Sequence, residues 1–485
     1  MSLKVVALSN SNKDDSSKTK GVETLLGEPK KAILKLAIPM IIAMSAHTVY
    51  NLVDALWVSG FGKGFFTSAE VSDIGIDALA AVGFAMPFFM MLISISVGIG
   101  VGSGSAISRR IGAKDKKGAD NVAIHSIIIT LILAFVFSAA LFLSADRLFT
   151  IIGAEKSASM AISYGRIIFA GTIFLFFTNI AFAILRSEGD ARRAMYAMMI
   201  GAGTNIVLDP IFIFTFGFGV SGAAYATVLA MSITSFILVY WLFFRKDTYV
   251  TIKFNKFKFN KEILKDIFKV GLPASVQQLS MSITMIAIII IINVTSGGEN
   301  FVAVYNTGWR VVMIAILPLL GMATAVVSVT GAAFGARAYD KLNTAYMYAA
   351  KSGFIIEIIL AIIIFLLAPL ISIIFTSRPE DVFIRNDLTM FLQISCFFYP
   401  GAAFGISSSA MFQGTGKGIY ALIATLLRTI VFTILLALIS TFILNAGVVG
   451  IWWSIVIANL AGSMISFTWG LYYIKKLKLK NSASS

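Results

Sequence analysis

The chain has 485 residues, of which 58% are hydrophobic and only 13% charged, and its net charge is +15. Soluble domains carry about a quarter charged residues, so this chain has too few to cover a water-facing surface and is read as a bilayer protein. One cysteine, Cys396, excludes an intramolecular disulfide, and two histidines, His47 and His125, argue against a zinc centre.

Residues 1–30 are polar and lack the continuous apolar core of a signal peptide. They are expected to form a flexible cytoplasmic tail. Apolar stretches long enough to cross a bilayer then follow near 31–59, 77–107, 120–144, 158–186, 193–216, 220–244, 264–294, 300–330, 344–375, 387–412, 418–443 and 449–474. None alternates with period two, so helices rather than barrel strands must cross. The run RKDTYVTIKFNKFKFNKEILKD is the longest polar break within this part. It divides an N-lobe, 31–245, from a C-lobe, 264–475, through a cytoplasmic linker, 246–263. Residues 476–485 are expected to be a second tail.

Of the 39 Lys and Arg, 31 fall in the two tails and the even-numbered breaks or within about two turns of them, and 5 in the odd-numbered breaks. Cytoplasmic loops collect such residues, so both termini are expected in the cytoplasm. The +15 is then a matter of topology, and no nucleic-acid partner is needed.

The chain also repeats itself. ILKLAIP at 33–39 aligns with IFKVGLP at 267–273, IGAKDKK at 111–117 with FGARAYDK at 334–341, SEGDARRAMYA at 187–197 with QGTGKGIYALI at 413–423, and GVSGAAYA at 219–226 with GVVGIWWS at 447–454. Each half has an even number of spans, so both enter the membrane in the same direction. The expected fold is an all-α integral membrane protein: twelve transmembrane helices in two six-helix lobes, related by a pseudo-two-fold axis along the membrane normal. Transporters built on such repeats place substrate and ion sites near the midplane.

Ionisable groups deep in a span are costly and mark function. In the first span Asp54 follows Tyr50 by four residues and Asn51 by three, which puts the three on one helical face. His47 extends that stripe. In the fifth span Asn205 precedes Asp209 by one turn, and Pro210 makes a helix break plausible there. Asn179 and Thr227 are polar at comparable depth in the fourth and sixth spans. Two carboxylates in low dielectric can share a proton, and the same carboxylate, amide and hydroxyl oxygens suit a hard Na⁺ ion. Among the other candidates, Glu357 and Arg310 could pair, Arg166 and Arg428 could snorkel to headgroups, and GVGSGSAIS at 100–108 suits tight helix packing. Pro39, about four turns before Asp54, permits a kink. Nothing supplies a nucleophile–base pair, a nucleotide motif or a cofactor site, so an enzyme is not expected.

The segments LAIPMIIAMSAHTVYNLVDALWVSG, GVGSGSAISRRIGAKDKKGADNVAIHS and LRSEGDARRAMYAMMIGAGTNIVLDPIFIFTFGFGVSGAAYATV carry a resemblance. The chain resembles the MATE (multidrug and toxic compound extrusion) transporters of the prokaryotic DinF-like branch. The resemblance implies export of organic, often cationic, compounds in exchange for H⁺ or Na⁺, by alternating access of two lobes in the cell membrane. It implies coupling at Asp54, Asp209, Asn205 and Thr227, the same four being the ligands of any Na⁺, with Tyr50, Asn51, Asn179 and Pro39 as supporting residues. No cofactor besides the coupling ion is expected, and the partners are the lipid bilayer and small organic substrates around a monomer. One branch of the family carries an acid shortly after the GLP motif; here that stretch is GLPASVQQLSMSITMIA, without one. The other role open to the superfamily is a flippase for lipids or lipid-linked oligosaccharides.

Overall fold

A computed structural model describes residues 19–61, 74–151, 157–245, 247–294, 298–376 and 379–483, and no strand occurs among them. Eleven of its helices are long and apolar enough to span a membrane, twelve when one bent pair is taken as a single span. The N-lobe spans are α2 (Pro29–Val58), α3 (Ile76–Gly112), α4 (Lys116–Ile151), the pair α5 (Ala158–Ala170) and α6 (Thr172–Ser187), α7 (Ala191–Pro210) and α8 (Gly219–Val239). The C-lobe spans are α9 (Lys261–Val294), α10 (Gly298–Ala315) with α11 (Leu317–Gly335), α12 (Tyr339–Phe375), α13 (Arg385–Ser395) with α14 (Tyr399–Gly414), α15 (Gly418–Leu426) with α16 (Thr433–Leu438), and α17 (Gly447–Ser482).

Hydropathy located the spans, but it did not show where they break. The fourth bends by 46° at Gly171, between α5 and α6. The matching tenth span breaks at the tight turn Cys396–Phe398. In the eighth, Ile316 separates α10 from α11, whose first turn carries Pro318. Single π turns, Ile211–Thr215, Leu427–Phe432 and Ile439–Ile443, widen the fifth and eleventh spans.

The backbone repeats as the sequence does. Left-handed residues recur in matched pairs: Lys114 with Arg337, Gly189 with Gly416, Gly217 with Asn445, and Gly219 with Gly447. The contacts between lobes repeat as well. A Cβ on Gly112 would overlap the Ala332 carbonyl, and one on Gly335 would overlap the Arg109 carbonyl. These are the same contact seen from either side of the pseudo-two-fold axis. Gly98 against Ser275 and Gly321 against Ile41 form a second such pair. Small residues let the helix backbones close to distances a side chain would forbid.

These interlobe contacts lie toward the face that carries both ends of the described chain. There Arg109 donates to Asp266 at 2.6 Å and Arg110 donates to the other carboxylate oxygen at 3.1 Å. Ser105 donates to the Gln413 and Gly414 carbonyls.

The region expected to be a tail is partly ordered. Residues 1–18 lie outside the described residues, but Lys20–Leu26 form a helix, α1, with Thr19 as its cap and Val22 and Leu25 buried. It lies against Glu188 and Gly189 of the N-lobe, and Lys341 of the C-lobe donates to its Leu26 carbonyl at 2.9 Å. At the other end, α17 continues through Ser482, so most of 476–485 extends the last span. The linker is anchored too. The Val250 N–H donates to the buried Glu188 carboxylate at 2.9 Å, and Thr251 donates to Asp120 at 2.7 Å. Asn260 donates to His125 Nε2 at 3.0 Å, which leaves His125 Nδ1–H to donate to the Asn121 carbonyl. Burial pushes the Glu188 carboxyl up to about 8.

Candidate functional site: a carboxylate pair in the N-lobe

The first half of α2 is tightly packed, with Ala32, Ile33, Leu36, Ala37, Pro39, Met40 and Ala43 all buried. Beyond Met44 only Val58 is fully buried, so the helix stands freer in the stretch that carries Tyr50 and Asp54. The helix is continuous through Pro39, which lies about 22 Å from Asp54 at 1.5 Å per residue. Facing α2 is α7. Asp190 caps its start by accepting the Arg193 N–H at 3.1 Å, and Pro210 ends it where the π turn begins.

Across this gap Asp54 and Asp209 face one another. Asp209 is 0% exposed and Asn205 2%. The Asn205 amide nitrogen donates to Thr227 Oγ1 at 3.3 Å, and the Tyr50 hydroxyl is directed at the same Thr227. The structure therefore brings together Asp54, Asp209, Asn205, Thr227 and Tyr50. The unpartnered atoms are telling: Asp54 Oδ1, Asn205 Oδ1 and both Asp209 oxygens are buried and receive no hydrogen bond. All four are acceptors. Buried acceptors left open are costly unless a proton or cation fills them. Among the described residues no group of three His, Cys, Asp or Glu could hold a metal, so any cation here would also draw on amide and hydroxyl oxygens.

Three expected supporters stand apart from this cluster. Asn51 is exposed and contacts His47 Nδ1 at 3.4 Å, while the His47 ring stacks on Tyr50 at 5.1 Å. Asn179 donates to the Leu175 carbonyl of its own helix, beside Gly100. Pro39 is remote, as above. Tyr164 on α5, which the sequence reading passed over, lies close enough to interact with Asp54, Tyr50 and Asp209. Its signal was the one phenol in the sequence of α5. Past the carboxylates the site is capped by buried Val58, Ile213, Phe214 and Val220, with Tyr164 at the edge of that cluster.

The other charges divide. Arg166 sits half-exposed and pairs with Asp146 at 2.7 Å, as a snorkelling residue does. Arg428 does not snorkel; it is 7% exposed inside the C-lobe. Glu357 is fully buried with both oxygens unpartnered while Arg310 is exposed, and no ion pair joins them among the described residues. After the GLP motif, Gln277 donates to Ser409 at 2.8 Å and Thr425 at 2.6 Å and accepts from Gln413 at 2.8 Å, a neutral and closed network.

A family model described as MatE matches residues 39–211 and 273–439, once in each lobe and across most of the chain. The chain belongs to the MatE family. A MOP superfamily transporter from Pyrococcus furiosus is 48% identical over 95% of this chain and 99% of its own, with a TM-score of 0.90. A MATE structure solved in a bent conformation is 47% identical over 96% and 100%, with a TM-score of 0.88. The multidrug export protein MepA of Staphylococcus saprophyticus is 27% identical over 88% of this chain and 90% of its own. The two MatE matches fall on the two lobes, so the repeat read from the sequence and the repeat seen in the backbone are one feature.

Proposed function

We propose that this protein is a secondary antiporter that exports organic, often cationic, compounds from the cell in exchange for H⁺ or Na⁺. The observation that carries this reading is the acceptor-only cluster around Asp54 and Asp209. Two facing carboxyls with open oxygens can hold a proton between them, or a cation, and either would compete with a positively charged substrate for the same charge. The multidrug export relatives support the substrate class. The lobes are clamped at the face bearing the termini, which the distribution of Lys and Arg assigns to the cytoplasm. Loosening that clamp while the opposite side closes would expose the site alternately to each side, with a single chain as the working unit. The freer half of α2 is the element best placed to move with the charge on Asp54.

The test is efflux of ethidium from proteoliposomes under an imposed pH gradient and, separately, an imposed Na⁺ gradient. Wild type should respond to at least one gradient. Asp54→Asn with Asp209→Asn should not. Undiminished gradient-driven efflux by the double variant would sink the assignment.

A further inference from the structure

We propose that Arg428 and Ser463 form an anion-binding subsite in the C-lobe that takes a carboxylate or phosphate group. Arg428 lies in the π turn Leu427–Phe432, ten residues into a span that begins at Gly418. At 1.5 Å per residue that is about 15 Å deep, near the middle of a hydrocarbon core of about 30 Å. Its side chain crosses Gly462, where a Cβ would come within 2.6 Å of the arginine's own Cβ, and Nη1 ends 3.2 Å from the Cβ position of Gly405. The Ser463 hydroxyl lies 2.5 Å from that same point. Ser463 is 0% exposed and its Oγ has no hydrogen-bond partner.

Two sets of donors thus converge beside Gly405, and among the described residues no carboxylate or carbonyl accepts from the guanidinium. Glu357, the buried carboxylate of the same lobe, does not pair with it. A full charge left open at this depth is costly. A water molecule would supply an acceptor but would not neutralise the charge. A planar fork of N–H groups with a hydroxyl beside it matches an oxyanion in both charge and geometry. Glycine on both flanking helices makes room for the arginine side chain itself, and π turns recur at functional sites. The subsite is the converse of the cluster around Asp54 and Asp209, whose open atoms are all acceptors. If the protein is the exporter proposed above, substrates that carry an anionic group alongside a cationic one fall within its range. Anion binding itself does not depend on that reading.

The experiment follows the melting temperature of the purified full chain in a low-salt zwitterionic buffer, titrated with benzoate and with inorganic phosphate. Wild type should show a saturable rise with at least one of them. Arg428→Gln should lose it. Arg428→Lys, which keeps the charge without the fork, should need about tenfold more anion. Arg166→Gln should behave as wild type, which separates the site from general surface charge. Because the guanidinium has no partner among the described residues, its removal orphans no other described group, and the variants should fold. A parallel series in micelles containing phosphatidylglycerol or phosphatidylcholine separates a lipid source from a free anion; stabilisation by phosphatidylglycerol through Arg428 also supports the site. Equal stabilisation of wild type and Arg428→Gln, or none in wild type with any of the three anions, overturns the proposal. Ethidium efflux by the same wild-type preparation decides the exporter reading independently.

Discussion

Arg109 at the end of the second span donates to Asp266 at the start of the seventh, at 2.6 Å, so one ion pair joins the two halves of the repeat. Arg110 shares the same carboxylate at 3.1 Å. The pair is partly exposed, 11% and 29% for the two side chains, so its worth is discounted to about 1–2 kcal/mol. Asp266→Asn should loosen the clamp and widen the distance between spin labels at residues 117 and 261, measured by pulsed electron resonance in a Cys396→Ser background. An unchanged distance distribution would show that the glycine contacts suffice without it.

The same clamp offers a symmetric test. Gly112→Ala and Gly335→Ala each push a methyl into a backbone carbonyl of the opposite lobe. Overpacking of this kind costs about 1–3 kcal/mol. Because the two contacts are mates about one axis, the variants should lower the melting temperature by similar amounts. The double variant should fall by less than the sum, since the first methyl already separates the helices the second would clash with.

In the N-lobe, stability and activity should part company. Both Asp209 oxygens are buried without a donor. Asp209→Asn replaces a buried carboxyl that has no donor and adds an N–H₂ facing Asp54. It should raise the melting temperature, by the equivalent of about 1–3 kcal/mol, while ion-driven efflux is lost. A melting temperature below wild type would show that the carboxylate is already satisfied.

Glu188 gives a pH dependence with a definite sign. Its carboxyl is raised by burial from 4.5 to about 8. Between those values the folded state holds a proton that the unfolded state has released, so this group makes stability fall as pH rises from about 4.5 to about 8, and contributes no further change above. Glu188→Gln removes that dependence while keeping an acceptor for the Val250 N–H. The melting temperatures of wild type and variant should converge near pH 5 and diverge toward pH 9, with the variant higher by the equivalent of about 1–3 kcal/mol.

The span positions, the repeat and the main polar cluster were legible because each rests on composition or helical spacing. Asn205 and Asp209 stand one turn apart on a helix wherever that helix goes, and twenty apolar residues cross a bilayer whatever they pack against. Contacts between elements were not legible. Tyr50 and Asn51 both lie near Asp54 by spacing, but they are 100° apart around the helix, and only the neighbour α7–α8 decides that Tyr50 meets Thr227 while Asn51 turns away. Tyr164 lies on α5, set at 46° to α6, and hydropathy does not report that angle or what the helix faces. Arg428 was expected to snorkel, since most intramembrane arginines can; glycines on two other helices give it a place inside instead. The α1 helix did leave a signal, a threonine cap with Val22 and Leu25 three apart, but it is short enough to be read as tail.

The paired left-handed residues have a consequence for how this architecture varies. Lys114 and Arg337, Gly189 and Gly416, Gly217 and Asn445, and Gly219 and Gly447 occupy equivalent corners of the two halves. Corners decide where each helix starts and which way it leaves, so two halves that share their corners share a frame. Within that frame the interiors have diverged: one sets Asp54 against Asp209, the other holds an open guanidinium at Arg428 and a separate buried carboxyl at Glu357. The punctuation of the chain has been kept while its vocabulary changed, and new chemistry can therefore enter either half without redrawing the fold.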